Sequence, residues 1–176
     1  LKRAAELLGW QPHTAPRRTG RGQGVAYVHY KHNETLVAIG MEVEVDRRTG
    51  VVKVKKIACA HDCGQVINPD AVKQQVEGNI LQTLSRTLFE EVTFDKSRVT
   101  SLDWAGYPIL TFPDVPDLAI EVIDRPKEPP LGAGEAATTP VPGALANAIL
   151  DAVGVRVRTV PITPQRIKEA LARGQA

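Results

Sequence analysis

Apolar residues change their spacing along this chain, and the changes divide it into elements. Val37, Ile39, Met41, Val43 and Val45 occupy alternate positions, and Glu42, Glu44 and Asp46 take the opposite side. A period of two is that of a strand with one buried face, so residues 34–46 are predicted to form a half-buried strand. The run 25–31 alternates, is rich in β-formers and is predicted to be a strand before it. Asp46-Arg47-Arg48-Thr49-Gly50 reads as a hairpin loop with its glycine near the end. Residues 51–60 then return as a strand, with Val52, Val54 and Ile57 apolar and Lys53, Lys55 and Lys56 polar. The acidic face of one strand is expected to lie opposite the lysines of the next.

At Asn68 the period lengthens. Val72, Val76, Ile80, Leu84 and Leu88 recur every fourth residue, which is the apolar stripe of a helix. Asn68 suits the N-cap and Pro69 the first helical position, so a helix is predicted over residues 69–90. Gln75, Asn79 and Gln82 flank the stripe and are uncharged. Gly78 costs such a helix about 1 kcal/mol relative to Ala, which points to close approach by another helix or by a polar ligand. Residues 1–9 read as a helix end stopped by Gly9, and 141–153 as an apolar helix ended by Gly154. Thr163-Pro164 opens a last helix running to about residue 173. Shorter pieces are predicted at 91–99 (a hairpin around Asp95-Lys96-Ser97), at 118–123 and at 155–160, where Arg156 and Arg158 share a face. Trp104, Tyr107 and Phe112 are expected to be packing residues. Together these elements make an α+β fold, a mixed or antiparallel sheet with hairpins packed against a few helices. Residues 25–176 form it, and residues 1–24 are a helix end followed by a basic arm.

Composition keeps this picture globular. With 176 residues, 43% of them hydrophobic and 24% charged, the chain can build one domain with a core. A formal net charge of +2 sets up no field that by itself implies nucleic acid or membrane. No apolar run approaches the ~20 residues of a membrane span, so the expectation is a soluble protein, cytoplasmic or periplasmic. The chain does not begin with Met and enters a helix midway, which reads as a piece of a longer polypeptide or a processed subunit. Arg17, Arg18 and Arg21 could bind an anion, but a basic run of this kind is more often a solvated loop. Gly20-Arg21-Gly22-Gln23-Gly24 follows no predicted strand and opens no predicted helix, so it is not read as a dinucleotide turn. Cys59, His61 and Cys63 would share one face of a strand. Zinc wants four ligands, and no second Cys/His pair exists, so no metal ligand is assigned and the thiols are read as small buried groups.

The stretch Pro129-Pro130-Leu131-Gly132-Ala133-Gly134-Glu135 is the densest candidate for chemistry. Two prolines stiffen the approach and two glycines let the backbone come close to a partner. The carboxylate that follows, just before a helix, is a candidate general base. It is also, more blandly, readable as a loop acid near a positive helix end, and from these residues alone that is the commoner meaning.

Several motifs stand in a particular order: His61-Asp62-Cys63-Gly64, Ile67-Asn68-Pro69-Asp70, Gln75-Val76-Glu77-Gly78-Asn79, Tyr107-Pro108 and Gly132-Ala133-Gly134-Glu135. Leu145-Ala146-Asn147-Ala148-Ile149 follows, then Gly154-Val155-Arg156 with Arg158, Pro161 and Thr163-Pro164. In this order they resemble the C-terminal part of the large molybdopterin-binding subunit of the xanthine dehydrogenase and aldehyde oxidase family, over about residues 9–167. Asn79, Ser85-Arg86 and Asp103-Trp104 are most similar to the isoquinoline 1-oxidoreductase branch, at its beta chain.

The resemblance implies a second molybdenum-cofactor-binding domain, with residues 25–176 its C-terminal part. It implies a hydroxylase that oxidises an aldehyde or an N-heterocycle with water-derived oxygen. The cofactor would be molybdopterin, as the pterin cytosine dinucleotide or a related form, and iron–sulfur clusters in a partner would take the electrons. In the family a glutamate after the glycine turn takes the proton from the metal-bound hydroxyl, and this role maps onto Glu135. A water-poor, apolar pocket favours such a role by making a carboxylate more basic, and nearby charges can oppose it. The glutamine opening the Gln-Val-Glu-Gly motif contacts the pterin and maps onto Gln75, and Gly134 is expected to approach the metal with its backbone. Where the family often has proline after the glutamate, this chain has Ala136, which leaves the turn less rigid. Other cofactor loops of the family lie in an earlier domain, so this piece alone is expected to be inactive. Its expected partners are the remainder of the large subunit, an iron–sulfur subunit or domain and a small-molecule substrate. Two cysteines are too few for the clusters themselves. A non-catalytic interaction module that keeps the scaffold is the alternative, and an anion- or nucleic-acid-binding arm around Arg17, Arg18 and Arg21 is a third reading. The spatial expectation is that Gln75 and Glu135 face one open cavity.

Overall fold

Four strands form one sheet, ordered β1-β2-β3-β4, in the computed structural model, which describes residues 1–174. β1 (Arg21–His29) pairs antiparallel with β2 (Leu36–Val45), and β2 pairs antiparallel with β3 (Val52–Asp62). β3 pairs in parallel with β4 (Asp117–Ile123), so the sheet is mixed and the fold is α+β. The main core lies on one face, where the alternating residues Val37 to Val45 are all buried. α2 (Pro69–Leu88), α3 (Val141–Val153) and α4 (Pro164–Arg173) contribute their apolar stripes to that core. α1 (Lys2–Leu8) covers the other face, where Ala4 meets Ala38 and Ala60.

Local chemistry fixes the element ends. The Asn68 side chain accepts from Ala71 N–H at 3.0 Å, and the Thr163 side chain accepts from Arg166 N–H at 3.3 Å, each capping its helix. Gly9 and Gly154 take the left-handed conformation that closes α1 and α3. α2 ends at Leu88, two residues before the predicted end. Glu42 lies opposite Lys56 and Glu44 opposite Lys53 across the β2–β3 hairpin. The register shifts between Glu42 and Val43, leaving Lys55 as the extra residue, which accommodates two lysines in a row.

Several expectations need correction. β1 begins at Arg21, four residues before the predicted start, so the glycine-rich segment belongs to the sheet. The reason is packing: a Cβ built on Gly24 would fall 2.2 Å from the Ala148 nitrogen, and one on Gly22 would fall 2.2 Å from the Ala148 carbonyl oxygen. Here glycine brings β1 onto the backbone of α3 rather than making a turn. Trp104 and Phe112 are not packed, being 74% and 95% exposed, because nothing else in the described chain covers these two side chains. Residues 155–160 form no strand, although Val155 and Val157 are buried. The short hairpin predicted at 91–99 is present: Phe94 pairs antiparallel with Val99, Asp95 N–H donates to the Arg98 carbonyl at 3.0 Å and Thr100 N–H to the Thr93 carbonyl at 2.7 Å, and the Asp95 side chain accepts from the Ser97 and Arg98 N–H groups.

The basic arm is tied down internally. Buried Asp151 on α3 accepts from Arg17 N–H at 2.9 Å and from Gln23 N–H at 2.8 Å, and lies 2.8 Å from His13 Nε2. Arg21 pairs with Glu44 at 2.8 Å. Arg17 and Arg21 therefore have carboxylate partners within the chain, contrary to a free anion-binding arm. Among the described residues no helix is long and apolar enough to cross a membrane.

Candidate functional site

The glycine loop is held at its start by the end of β3. Leu131 N–H donates to the Cys63 carbonyl at 2.8 Å, and Arg125 N–H donates to the Gly64 carbonyl at 3.0 Å. Gly64 has φ +73°, and a Cβ there would fall 2.1 Å from the Pro129 carbonyl oxygen, so only glycine lets the loop lie this close. Two side chains then grip successive carbonyls. Buried Thr35 donates to Gly132 O at 2.6 Å, and Asn79 Nδ2 of α2 donates to Ala133 O at 3.4 Å. Past Glu135 the chain enters a 3-10 turn, Ala136–Thr138, whose Ala136 and Ala137 are buried. Glu135 thus stands at the junction between a tethered loop and a buried turn, with its own side chain exposed.

The Glu135 carboxylate is met by Tyr30, which lies between β1 and β2. The Tyr30 hydroxyl donates to Glu135 Oε1, while Oε2 accepts no hydrogen bond among the described residues. That hydrogen bond is the main reason the Tyr30 phenol lies above its usual ionisation range, since the donated proton would have to leave a carboxylate behind. Lys31 Nζ stands 5.1 Å from the centre of the Tyr30 ring and 3.6 Å from a Glu34 oxygen. A pocket of about 400 Å³ opens here, with Tyr30, Lys31 and Glu34 on one side and Gly132, Gly134 and Glu135 on the other.

The structure therefore brings Gly134 and Glu135 together in one pocket. Gln75 does not line it. Gln75 is exposed on α2 one turn before Asn79, the residue that reaches the glycine loop. Nothing in the described chain approaches the space beside Gly78, so no helix of this chain explains that glycine. Nor is Glu135 in a water-poor setting here, because nothing in the described chain closes over it. Tyr30 carries no signal in the sequence: it sits 105 positions from Glu135, and no periodicity links the two. A larger cavity, about 740 Å³, lies elsewhere, between the second half of α2 and the 104–115 segment. Its walls are mainly apolar, with Arg86 and Glu90 as its only ionisable side chains besides Tyr107. The smaller pocket carries the better placed chemistry, an accessible carboxylate with one oxygen fixed and one free.

Cys59 and Cys63 are buried free thiols, and burial pushes Cys59 up to about 12. His61 is buried with neither ring nitrogen hydrogen-bonded, and burial pushes it down to about 4. No cluster of three His, Cys, Asp or Glu able to hold a bare metal ion is present among the described residues. What the glycine loop offers instead is a cradle. The positions a Cβ would occupy at Gly132 and Gly134 are open space. Among the described residues the backbone N–H groups of Gly132 to Glu135 donate to no acceptor. Open glycine backbone with free donors beside a carboxylate fits a large group that brings its own oxygen atoms and its own ligands.

The family described as "Molybdopterin cofactor-binding domain" matches residues 4–116. The chain belongs to the molybdopterin cofactor-binding domain family. A nicotinate dehydrogenase subunit from Pseudomonas putida is 44% identical, over 97% of this chain and 15% of its own length. The beta subunit of isoquinoline 1-oxidoreductase from Brevundimonas diminuta is 30% identical, over 93% of this chain and 21% of its own length. The isoquinoline branch is thus one of several, and the nicotinate dehydrogenase relative shares more identity. Among solved structures, quinoline 2-oxidoreductase from Pseudomonas putida 86 superposes with a TM-score of 0.72 at 34% identity, covering 78% of this chain and 19% of that one. This molybdopterin cofactor-binding chain therefore spans only 15% to 22% of the length of the first curated relatives it matches.

Proposed function

We propose that this chain is part of the cofactor-binding portion of a molybdenum hydroxylase that oxidises an aldehyde or an N-heterocycle with oxygen drawn from water. The observation that carries this is the Glu135 carboxylate, with Oε2 free, set beside the open, donor-rich backbone of Gly132 to Glu135. When bound, the molybdenum–pterin group supplies the redox chemistry, accepting two electrons from the substrate carbon. Glu135 would accept a proton at Oε2 as general base, and the Gly134 backbone and the Gln75 amide would hold the molybdenum–pterin group.

The rest of the binding site lies outside this chain, which has no activity alone. The remainder of a large subunit completes it, and an iron–sulfur partner carries electrons away. The exposed Trp104 and Phe112 support contact with such a remainder, because side chains this apolar are rarely left in water in a finished assembly. They equally favour a second reading, a non-catalytic interaction module that keeps the scaffold.

Glu135→Gln in the full-length protein separates the two. As general base, Glu135 contributes ~10²–10⁴-fold, so turnover of aldehydes or N-heterocycles falls by that factor while molybdenum and pterin content stays unchanged. Turnover near the wild-type level removes the base assignment. Gln75→Ala is expected to lower pterin content instead.

A further inference from the structure

The hydrogen bond to Glu135 comes from a turn that is built to hold a fixed shape. Lys31 and His32, directly after Tyr30, both have positive φ, +47° and +68°. Neither is glycine, and two such residues in succession are maintained only where their surroundings over-determine them. The turn meets that condition. Tyr30 N–H donates to the Thr35 carbonyl at 2.9 Å, and Glu34 N–H donates back to the Tyr30 carbonyl at 3.0 Å. Thr35, the last residue of the turn, is fully buried and donates its hydroxyl to Gly132 O at 2.6 Å. The turn and the glycine loop are thus joined at two points, Thr35 to Gly132 and Tyr30 to Glu135, either side of Gly134.

We propose that Tyr30 is a positioning residue for Glu135, its hydroxyl fixing Oε1 so that Oε2 is the oxygen left to take the proton. This rests on the reading of Glu135 as general base. Tyr30 keeps its own proton throughout: Oε2 gains an O–H bond, the donor loses one, and no electrons pass through the phenol. A carboxylate on an exposed loop otherwise samples several rotamers, and orienting it is an entropy saved before the chemical step. Glu34 pairs with Lys31 at 3.6 Å, and among the described residues the Tyr30 hydroxyl donates to Glu135 and not to Glu34.

The test uses the intact enzyme with its partners. Tyr30→Phe removes only the hydroxyl. It is expected to lower kcat by ~10-fold or more with KM within about twofold, the pattern of a group that acts on the chemical step. A second readout needs no turnover. Fluorotyrosine is placed at position 30 alone by codon suppression, and its fluorine NMR shift is followed into Glu135→Ala. It is expected to move toward that of free fluorotyrosine. A Tyr30 signal unmoved by Glu135→Ala overturns the proposal, and this holds even if Tyr30→Phe fails to fold. Wild-type kcat in Tyr30→Phe, or a rise in KM alone, overturns it while leaving Glu135 as base whenever Glu135→Gln is inactive. Turnover retained in Glu135→Gln removes the base reading and the positioning role with it, even where the fluorine signal moves.

Discussion

The hydroxyl of Thr35 donates to the carbonyl of Gly132 at 2.6 Å, so a buried residue at the entrance to β2 grips a loop 97 positions later. The loop has few other holds. Leu131 is fixed to Cys63, and Ala133 is reached by Asn79 at the longer distance of 3.4 Å. Thr35→Val keeps the shape of the side chain and leaves the Gly132 carbonyl without its donor. The expected loss is about 1–3 kcal/mol of stability. Hydrogen exchange is expected to rise at Leu131, whose N–H donates to the Cys63 carbonyl, and to stay unchanged in α3. Uniform exchange across both would mean that Thr35 supports the fold and not the loop in particular.

Gly24 is the position where β1 touches α3 most closely. A Cβ there would fall 2.2 Å from the Ala148 nitrogen and 2.3 Å from the Ala144 carbonyl oxygen, both of them backbone atoms that cannot rotate away. Gly24→Ala is expected to cost at least ~2 kcal/mol, because strand and helix must move apart. Gly78→Ala is the control: nothing lies within contact of its Cβ position, and in a helix the change is expected to gain up to about 1 kcal/mol. Thermal unfolding of the two variants should shift in opposite directions.

These two glycines also mark what the sequence could and could not tell. The alternation from Val37 to Val45 and the fourfold spacing from Val72 to Leu88 are local patterns, and strand and helix follow from them directly. Asn68 and Thr163 sit beside proline at helix starts, and both cap as their chemistry requires. Gly22 and Gly24 carry no local signal that distinguishes a turn from close packing. What decides is the arrival of α3 more than a hundred residues later. The partnership of Tyr30 with Glu135 is hidden for the same reason. Trp104 and Phe112 show the converse limit: their hydrophobicity is legible, but whether anything in the same chain covers them is not. At the site, the Gly-Ala-Gly-Glu motif marked the loop, and the family match over residues 4–116 agrees with the wider resemblance but ends before that loop. The open side of the loop, by contrast, is visible only in three dimensions.

Asp151 explains how the arm before β1 is fixed. Its buried carboxylate serves two backbone N–H groups, Arg17 and Gln23, and stands close to His13 and to Arg17 Nε. Asp151→Ala strands those donors and is expected to cost about 3–5 kcal/mol. The released arm should become open to trypsin at Arg17 and Arg18, which is read by limited proteolysis under conditions where wild type resists. An arm that stays protected in the variant would mean that other contacts hold it.

His61 gives the chain a pH dependence whose direction can be worked out. It is fully buried on β3 with both ring nitrogens unpartnered, and burial pushes it down to about 4, against a small opposing pull from Asp62. In the unfolded chain the same imidazole titrates near 6.5. Between these two values the unfolded state binds a proton that the folded state refuses, so acid favours unfolding. The stability tied to neutral His61 is fully present above 6.5 and is lost as pH falls toward about 4, where it levels off because both states are then protonated. The gap between the two values corresponds to ~3 kcal/mol. His61→Phe fills a similar volume and cannot titrate, so its urea-unfolding free energy should fall by ~3 kcal/mol less than that of wild type over the same acid range. Parallel curves for the two proteins would assign the acid sensitivity to other groups and leave the buried imidazole without a role in it.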